Sequence, residues 1–257
     1  MERLTYEKKR GINGNALRTW ALLFAAAGII GRGVIQTHML GIGTVSTQQL
    51  LEIMGSSPDM MTLATASIVM QALETCAVPI FALLLVEGVM HTADFKAYAL
   101  RVAGTAVLAE IPYNLAMGGK LLDLSSRNPM FSVLMCMAVL HFFRLYNQSR
   151  MKNVLIRIAV VAAGIIWCAM LKSEFGLPMI LIVVVMWALR SKPMYRNFAG
   201  AAAAMVCTVY SPFFLASPMG FMAVHFYNEE PSTNSRRMNY LAYPGILLIS
   251  AVVGLFL

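Results

Sequence analysis

The chain has 257 residues, of which 59% are hydrophobic and only 12% are charged. An ordinary soluble domain carries about twice that charged fraction, so the composition excludes such a domain and indicates that bilayer lipid is part of the solvent. The net charge of +8 does not indicate a nucleic-acid partner, because in a membrane protein the placement of Lys and Arg matters more than their sum.

The chain starts with a basic, polar segment, residues 1–16, which we expect in the cytoplasm. The apolar run that follows has no small-residue cleavage site at its end. It therefore predicts a first membrane helix near 17–41 and not a cleaved signal peptide. On the outer side of this helix, residues 44–57 combine a capping pattern with one apolar face, which predicts a short interfacial helix.

Arg32 lies inside the first predicted helix, four residues after Gly28 and four before Gln36. This spacing places the three residues on one stripe of small and polar side chains. Such a stripe either lines a cavity or pairs with an acidic side chain of another helix. We expect pairing, with Glu74 or Glu110 as the partner.

Eight further apolar runs predict membrane spans near 60–90, 95–117, 129–146, 153–171, 177–190, 197–211, 213–228 and 239–257. The first of these is long enough to bend, and Pro79 gives a reason for a bend. Ser211-Pro212 divides two short runs, which form either a tight hairpin or a re-entrant pair. The pattern predicts an all-α, polytopic integral membrane helical bundle that forms a single domain over 1–257.

The basic residues test this map, because Lys and Arg are retained on the cytoplasmic side. With the N-terminus inside, sixteen of the twenty Lys and Arg residues fall at cytoplasmic ends. Of the other four, Lys120, Arg127 and Lys172 lie outside, and Arg32 lies within the first span. The asymmetry predicts about nine transmembrane helices with the N-terminus inside, whereas an eight-span version would also place the C-terminus inside.

Ionisable side chains within a membrane are candidates for function. Glu87 and His91 are four residues apart, hence on one face of a helix, and a carboxylate beside an imidazole suits a general base. Arg101, on the next predicted helix, suits a phosphate or carboxylate. The same three residues could instead form an ion-paired cap that joins two helices, and the residues alone leave both interpretations open.

Other kinds of site have no support in the sequence. The four cysteines lie singly in apolar runs, so we expect neither a disulfide framework nor a metal site. The chain has no P-loop, no dinucleotide-binding glycine motif, no zinc-protease motif and no nucleophile elbow. The common soluble-enzyme signatures are therefore missing.

Residues 78–118, VPIFALLLVEGVMHTADFKAYALRVAGTAVLAEIPYNLAMG, resemble the core signature of the TraX family of polytopic membrane proteins. The positions that carry the resemblance are Pro79, Phe81, Glu87, Gly88, His91, Thr92, Tyr98, Arg101, Glu110 and Pro112. Looser landmarks are Asn128, Glu174-Phe175-Gly176, Tyr240 and Tyr243-Pro244. Three positions differ from the family pattern: Gly28-Ile29 stand where Asp-His is usual, Thr75 replaces an Arg, and Ile246 replaces a His.

The resemblance implies a membrane acyltransferase, an enzyme that moves an acetyl or other acyl group from cytoplasmic acyl-CoA to an amine or hydroxyl of an acceptor at or across the membrane. His91, assisted by Glu87, is then the expected base. The residues expected to bind the donor are Arg101, Lys96, Thr92 and Tyr98. The passage towards the acceptor would be lined by Arg32, His38, Glu110, Asn128 and Glu174, and no metal is expected.

The implied location is a cell membrane, the bacterial cytoplasmic membrane, with several passes. The acceptor could be a peptide N-terminus, a sugar, a lipid or a small amine. Two alternatives stay open. The first is a catalytically degenerate member of the family that binds or transports a small molecule, lipid or peptide. The second is a proton-coupled carrier, which would need Glu74 or Glu110 to titrate within the bilayer.

Overall fold

The computed structural model describes residues 11–41, 52, 58–148, 150–230 and 236–257. Over these residues the secondary structure is helical and contains no strand, so the predicted all-α class is confirmed there. The interfacial helix predicted at 44–57 lies, apart from Glu52, outside the described residues.

The described residues form ten α-helices: α1 Gly14–Ile29, α2 Pro58–Thr75, α3 Ala77–His91, α4 Phe95–Gly118, α5 Met130–Leu145, α6 Met151–Met170, α7 Gly176–Ala188, α8 Pro193–Val206, α9 Gly220–His225 and α10 Arg236–Leu255. A π-helix, Ile30–Met39, continues α1 directly. Two 3₁₀-helices, Cys207–Val209 and Pro212–Met219, lie between α8 and α9.

Local chemistry explains several helix ends. The Asn13 side chain accepts a hydrogen bond from the Ala16 amide and caps α1, and Asp94 caps α4 in the same way through the Ala97 amide. Gly119 ends α4 in the left-handed conformation at φ +62°, which glycine adopts without a steric penalty.

By length and composition, three helical stretches are able to cross a membrane: Gly14–Met39, Pro58–His91 and Met151–Met170. Shorter apolar helices cover Met130–Leu145, Gly176–Ala188 and Tyr240–Leu255. These findings support a membrane protein. Helix α4 is long but less apolar, and the nine spans and their orientation stay predictions.

The predicted bend near Pro79 is present as a break between α2 and α3 at Cys76. Proline has no amide hydrogen to donate to the carbonyl four residues earlier, here that of Thr75. The side chain of the same residue links the break to its surroundings, because the Thr75 hydroxyl donates to the carbonyls of Ala72 and Phe213, at 2.7 and 3.0 Å. The long apolar run is therefore divided into two helices, because the regular hydrogen-bond pattern is interrupted before the proline.

The two ends of the bundle are identified by contacts between distant segments. At one end, Ile12 donates to the Phe226 carbonyl at 2.7 Å and Arg144 donates to the Val89 carbonyl at 3.0 Å. We name this the basic end. Helix α4 starts there, and Lys96 is the second residue of that helix. At the opposite end, the Arg127 amide donates to the Lys172 carbonyl at 3.0 Å.

The segment around Ser211-Pro212 turns back on itself near the break between α2 and α3, and its two legs pack together. Its turn at Tyr210 and Phe213 borders a cavity near Arg32, while Tyr227 beyond the second leg bonds to Glu87 at the basic end. The second leg combines eight 3₁₀ residues and six α-helical residues. Because a 3₁₀-helix rises about 2.0 Å per residue, this short leg covers roughly 25 Å.

The core lies where α3, α5 and α7 meet, with Ile80, Leu140 and Ile180 fully buried. A second apolar cluster forms where α10 packs on α4, around Tyr113 and Leu247. Helix α6 buries little more than Gly164 and Cys168, so its apolar surface faces outward.

Candidate functional site

The polar stripe of the first helix pairs with a matching stripe on α2. Arg32 donates from its Nη2 to Glu74 Oε2 at 2.6 Å, which confirms the predicted pairing with Glu74. One turn further, the Gln71 side-chain amide donates to Gln36 Oε1 at 3.0 Å and to Ser67 Oγ at 2.9 Å. This segment is π-helical. Such a conformation is rare in proteins, and where it occurs it is often part of a functional site.

Gly28 makes this pairing possible. A Cβ atom at residue 28 would overlap the carboxylate and the Cβ of Glu74. Glu74 is 5% exposed and held by Arg32, so a Cβ atom at residue 28 would push its side chain out of this pairing. The residue that replaces the family's usual Asp is therefore the one that admits the Glu74 carboxylate.

Arg32 also forms a salt bridge with Glu174 through its other terminal nitrogen. The loop between α6 and α7 positions Glu174, whose amide donates to the Arg127 carbonyl at 3.0 Å. The Tyr113 hydroxyl donates to the second oxygen of Glu174 at 3.2 Å. We name Arg32, Glu74 and Glu174 the charged cluster.

The charged cluster has an unequal balance, with two carboxylates around one guanidinium. The Arg32 Nε atom is buried and has no hydrogen-bond partner among the described residues. A buried N–H without a partner is uncommon and needs an explanation. With both carboxylates ionised, the cluster therefore carries one surplus negative charge, and it has one unused donor.

Glu110 belongs to a separate network on α4. Arg127 donates to Glu110 Oε1 at 2.7 Å. The Asn128 side-chain amide donates to Glu110 Oε2 at 2.7 Å and to the Ala106 carbonyl at 2.9 Å. Two partners were considered for Arg32. Glu74 forms the pair with Arg32, whereas Glu110 pairs with Arg127.

An apolar cavity of about 150 Å³ extends from the basic end into the bundle. Arg18, Tyr98 and Tyr240 line its first part, and aliphatic and aromatic side chains line its middle. Glu74 lines its inner part. Along α1 the lining runs from Arg18 to Ala25, which is roughly 10 Å at the rise of an α-helix.

Two further cavities, of about 410 and 430 Å³, border the charged cluster, and we name them the polar cavities because charged and hydroxyl side chains line them, although apolar atoms form most of their walls. Arg32, Glu174 and Tyr210 line both of them. Glu74 lines the second polar cavity as well as the apolar cavity. Glu74 is therefore part of a wall that the apolar cavity and a polar cavity share.

The structure does not form the predicted contact between the side chains of Glu87 and His91. The Glu87 carboxylate accepts a hydrogen bond from the Tyr227 hydroxyl at 2.8 Å. His91 is exposed at the end of α3, with its Nδ1 2.9 Å from the main-chain carbonyl of Glu87. Arg101 turns away to Tyr240, 3.3 Å from its hydroxyl.

These contacts correct both interpretations of the Glu87, His91 and Arg101 group. Helical spacing puts Glu87 and His91 on one face, but Tyr227 from a distant segment holds the carboxylate, and the imidazole sits against the helix's own backbone. No hydrogen bond joins the three side chains directly, although Glu87 and His91 stay close enough to interact electrostatically. Neither Glu87 nor His91 lines the three cavities described above, and their catalytic role stays a prediction.

The residues expected to bind the donor lie together at the basic end. Tyr98 lines the apolar cavity, and Arg101 bonds to Tyr240, which lines it too. Lys96 is exposed, and the Thr92 hydroxyl donates to the Asp94 carbonyl at 3.2 Å in the turn before α4. The structure thus brings Tyr98 and Arg101 to the cavity and leaves the other two on the adjacent turn.

Of the residues expected along the passage, Arg32 and Glu174 line the polar cavities. Glu110 and Asn128 support the wall nearby through their mutual hydrogen bond. His38 instead packs against Gly254, with its Nε2 buried and unpartnered among the described atoms. His38 is therefore not among the residues that line the three cavities.

Sequence reasoning missed Arg18, Tyr113 and Tyr210. A signal for Arg18 exists, because Arg18, Leu22, Ala25, Gly28 and Arg32 recur at spacings of three and four residues and so share one face of a helix. No comparable signal marks Tyr113 or Tyr210, which reach the charged cluster only through the packing of distant helices.

The positions that lack the family's usual histidines come together in the structure. Ile29 is buried in the second apolar cluster, and Ile246 packs against that same cluster. An apolar cluster thus contains both positions at which the resemblance leads us to expect imidazoles. Among the described residues, no group of three or more His, Cys, Asp or Glu side chains is arranged to hold a metal ion.

The family model described as "TraX protein" matches residues 50–254, which is most of the chain. The match includes Glu74, the 78–118 stretch and Glu174, whereas Arg32 precedes it. No curated protein and no solved structure gives a match.

Proposed function

The chain belongs to the TraX family, and on that premise we propose that it is an integral membrane acyltransferase. It transfers an acetyl or other acyl group from cytoplasmic acyl-CoA to an amine or hydroxyl of an acceptor at or across the membrane. Its topology is multi-pass, with about nine spans and the basic end in the cytoplasm of a bacterial cell. This orientation follows the distribution of Lys and Arg.

The observation that carries the proposal is the pair of spaces that meet at Glu74. An apolar cavity opens near the basic residue Arg18 and reaches Glu74, and a polar cavity begins on the other side of the same carboxylate. A donor from one side and an acceptor from the other can meet there without either crossing the whole bilayer. A concave site with few, convergent polar groups is the usual form of a small-molecule site.

The donor side has the chemistry that acyl-CoA needs. Arg18 and Arg101, with Lys96 on the neighbouring turn, offer cationic donors to the phosphates of the cofactor. Tyr98, with Thr92 before it, lies at the same entrance. The apolar cavity then accepts the acyl-bearing end of the donor, whose thioester would reach the region of Glu74.

The reaction is a direct transfer. A base takes the proton of the acceptor's amine or hydroxyl, and its nitrogen or oxygen forms a bond to the thioester carbon. The carbonyl oxygen becomes an oxyanion, which needs a preorganised donor. The carbon–sulfur bond then breaks, and the coenzyme leaves as a thiol after it receives the proton.

Binding of acetyl-CoA to the full-length protein in lipid nanodiscs tests the proposal. We expect calorimetric binding, and slow thioester hydrolysis where no acceptor is present. Val102→Phe, which fills the apolar cavity, should weaken binding about tenfold or more. Val107→Phe makes the same change five residues later on α4 at a position that is 65% exposed, and should leave binding unaltered. A wild type that neither binds nor hydrolyses acyl-CoA would overturn the proposal.

A second candidate is a member of the family that binds or transports a ligand without catalysis. The specific observation in its favour is the apolar cluster of Ile29 and Ile246 at positions where the family pattern has histidines. Such a protein would move a ligand into liposomes without acyl-CoA. Of the two carboxylates that a proton-coupled carrier would need, Glu110 is paired with Arg127 outside the three cavities, so such a carrier would depend on Glu74 alone.

A further inference from the structure

We propose that the charged cluster has taken over the chemistry of the missing imidazoles, with Glu74 as the general base and Arg32 Nε as the oxyanion donor. This inference rests on the proposed acyl transfer and names the residues that perform it. Its starting point is the position of Glu74, which lines both the apolar cavity and a polar cavity. A base at that wall touches donor and acceptor together.

The charge balance of the cluster makes one carboxylate available as a proton acceptor. Arg32 neutralises one carboxylate, and Glu74 and Glu174 repel each other across the guanidinium. When Glu74 takes a proton, the remaining pair of Arg32 and Glu174 is neutral. Uptake of one proton therefore relieves a surplus buried negative charge, which like-charged neighbours favour.

The unused donor of Arg32 has the properties that an oxyanion site requires. Its two terminal nitrogens are held by Glu74 and Glu174, so the orientation of the guanidinium is fixed before the reaction. The Nε–H is buried and has no acceptor among the described residues. Donors that are preorganised in this way stabilise the tetrahedral oxyanion without moving during the reaction.

Glu174 is a positioning residue in this scheme. It holds the guanidinium by one oxygen and accepts a hydrogen bond from Tyr113 by the other. It lines the polar cavities, whereas only Glu74 of the two carboxylates also lines the apolar cavity. This difference assigns the base to Glu74.

The proton and the bonds balance over one turnover. Glu74 accepts the proton of the acceptor, whose nitrogen or oxygen bonds to the thioester carbon. The oxyanion that forms is held by Arg32 Nε–H, and it collapses as the carbon–sulfur bond breaks. Glu74 returns its proton to the leaving thiolate, which restores the starting charge of the cluster.

Single-turnover acyl transfer or hydrolysis and acetyl-CoA binding should be measured together on full-length variants in nanodiscs. Glu74→Gln keeps the shape and removes the base, so we expect the chemical step to fall by about a hundredfold or more with Kd changed less than threefold. Glu74→Asp should recover part of the rate. Arg32→Lys keeps the charge, loses the Nε donor and should slow the same step by at least tenfold.

Asp59→Asn is the control, because it removes a carboxylate from an exposed position on the same helix as Glu74, and Asp59 does not line the three cavities. We expect its rate to stay within threefold of the wild type when the folded fraction is equal. A folded, acyl-CoA-binding Glu74→Gln protein with the wild-type rate would overturn the inference and leave the proposed function standing. A loss in His91→Ala but not in Glu74→Gln would return the base to His91. A wild type that binds no acyl-CoA would remove both proposals.

Discussion

Gly28 lies directly against Glu74, and the absence of a side chain at residue 28 is what admits the Glu74 carboxylate into the wall between the two kinds of cavity. Gly28→Ala should displace Glu74 and lower the unfolding temperature. Gly104→Ala offers a control, since a Cβ there meets nothing within 4 Å and should stabilise α4 slightly, by about 0.4–1 kcal/mol. Equal unfolding temperatures for the two variants in thermal denaturation would contradict this close contact.

Arg32 should be the costliest member of the charged cluster to remove. Arg32→Met leaves Glu74 and Glu174 buried together without a cation, and breaking a buried pair in this way costs about 3–5 kcal/mol. Glu74→Met leaves a neutral pair of Arg32 and Glu174 and should cost clearly less. Chemical unfolding in detergent measures both. A larger loss of stability for Glu74→Met than for Arg32→Met would show that the cluster does not carry a surplus negative charge.

Substitutions of Tyr227 and His91, both at the basic end, should differ in their effect on stability. Tyr227→Phe removes the hydrogen bond to the Glu87 carboxylate and should lower stability by about 1–3 kcal/mol, because the acceptor is charged. His91→Ala removes an exposed side chain and should leave the unfolding temperature nearly unchanged. Thermal unfolding of both variants checks the difference. A strong destabilisation by His91→Ala would mean that the imidazole joins α3 to another segment after all.

Two buried asparagines on and beside α4 should respond in opposite ways to the same substitution. Asn114 is 2% exposed, and neither polar atom of its side chain has a partner among the described residues, so Asn114→Leu should be neutral or stabilising. Asn128 donates to Glu110 and to the Ala106 carbonyl. Asn128→Leu should therefore cost about 1–3 kcal/mol. Similar losses of stability for both would indicate that Asn114 binds a group that it does not meet within the chain.

The sequence was a good guide to the helices. Apolar runs of sufficient length, Pro79 and Ser211-Pro212 placed the helices and the breaks between them, because these features depend on local chemistry and on neighbours along the chain. The same local spacing placed Arg32 on a stripe and anticipated its pairing with Glu74. The family was likewise readable from the ordered motif in residues 78–118, and the family model matches that range.

The sequence was a poor guide to which side chains meet at the site. Glu87 and His91 share a helical face, yet Tyr227, 140 residues after Glu87, takes the carboxylate. Helical periodicity cannot reveal such a partner, because it describes one helix at a time. The prediction therefore paired side chains by their helical spacing, whereas the structure gives Glu87 a hydrogen-bond partner from a distant segment.

By itself, then, the amino-acid sequence determined an all-helical, apolar chain of the TraX type and the stripe of small and polar residues on its first helix. Only the tertiary structure decided that Gly28 makes room for Glu74, that Glu174 completes the charged cluster from a loop far along the chain, and that two different cavities meet there. The reason is physical. Hydrophobic length and helix spacing act within a segment, whereas the pairing of buried charges depends on which segments pack together.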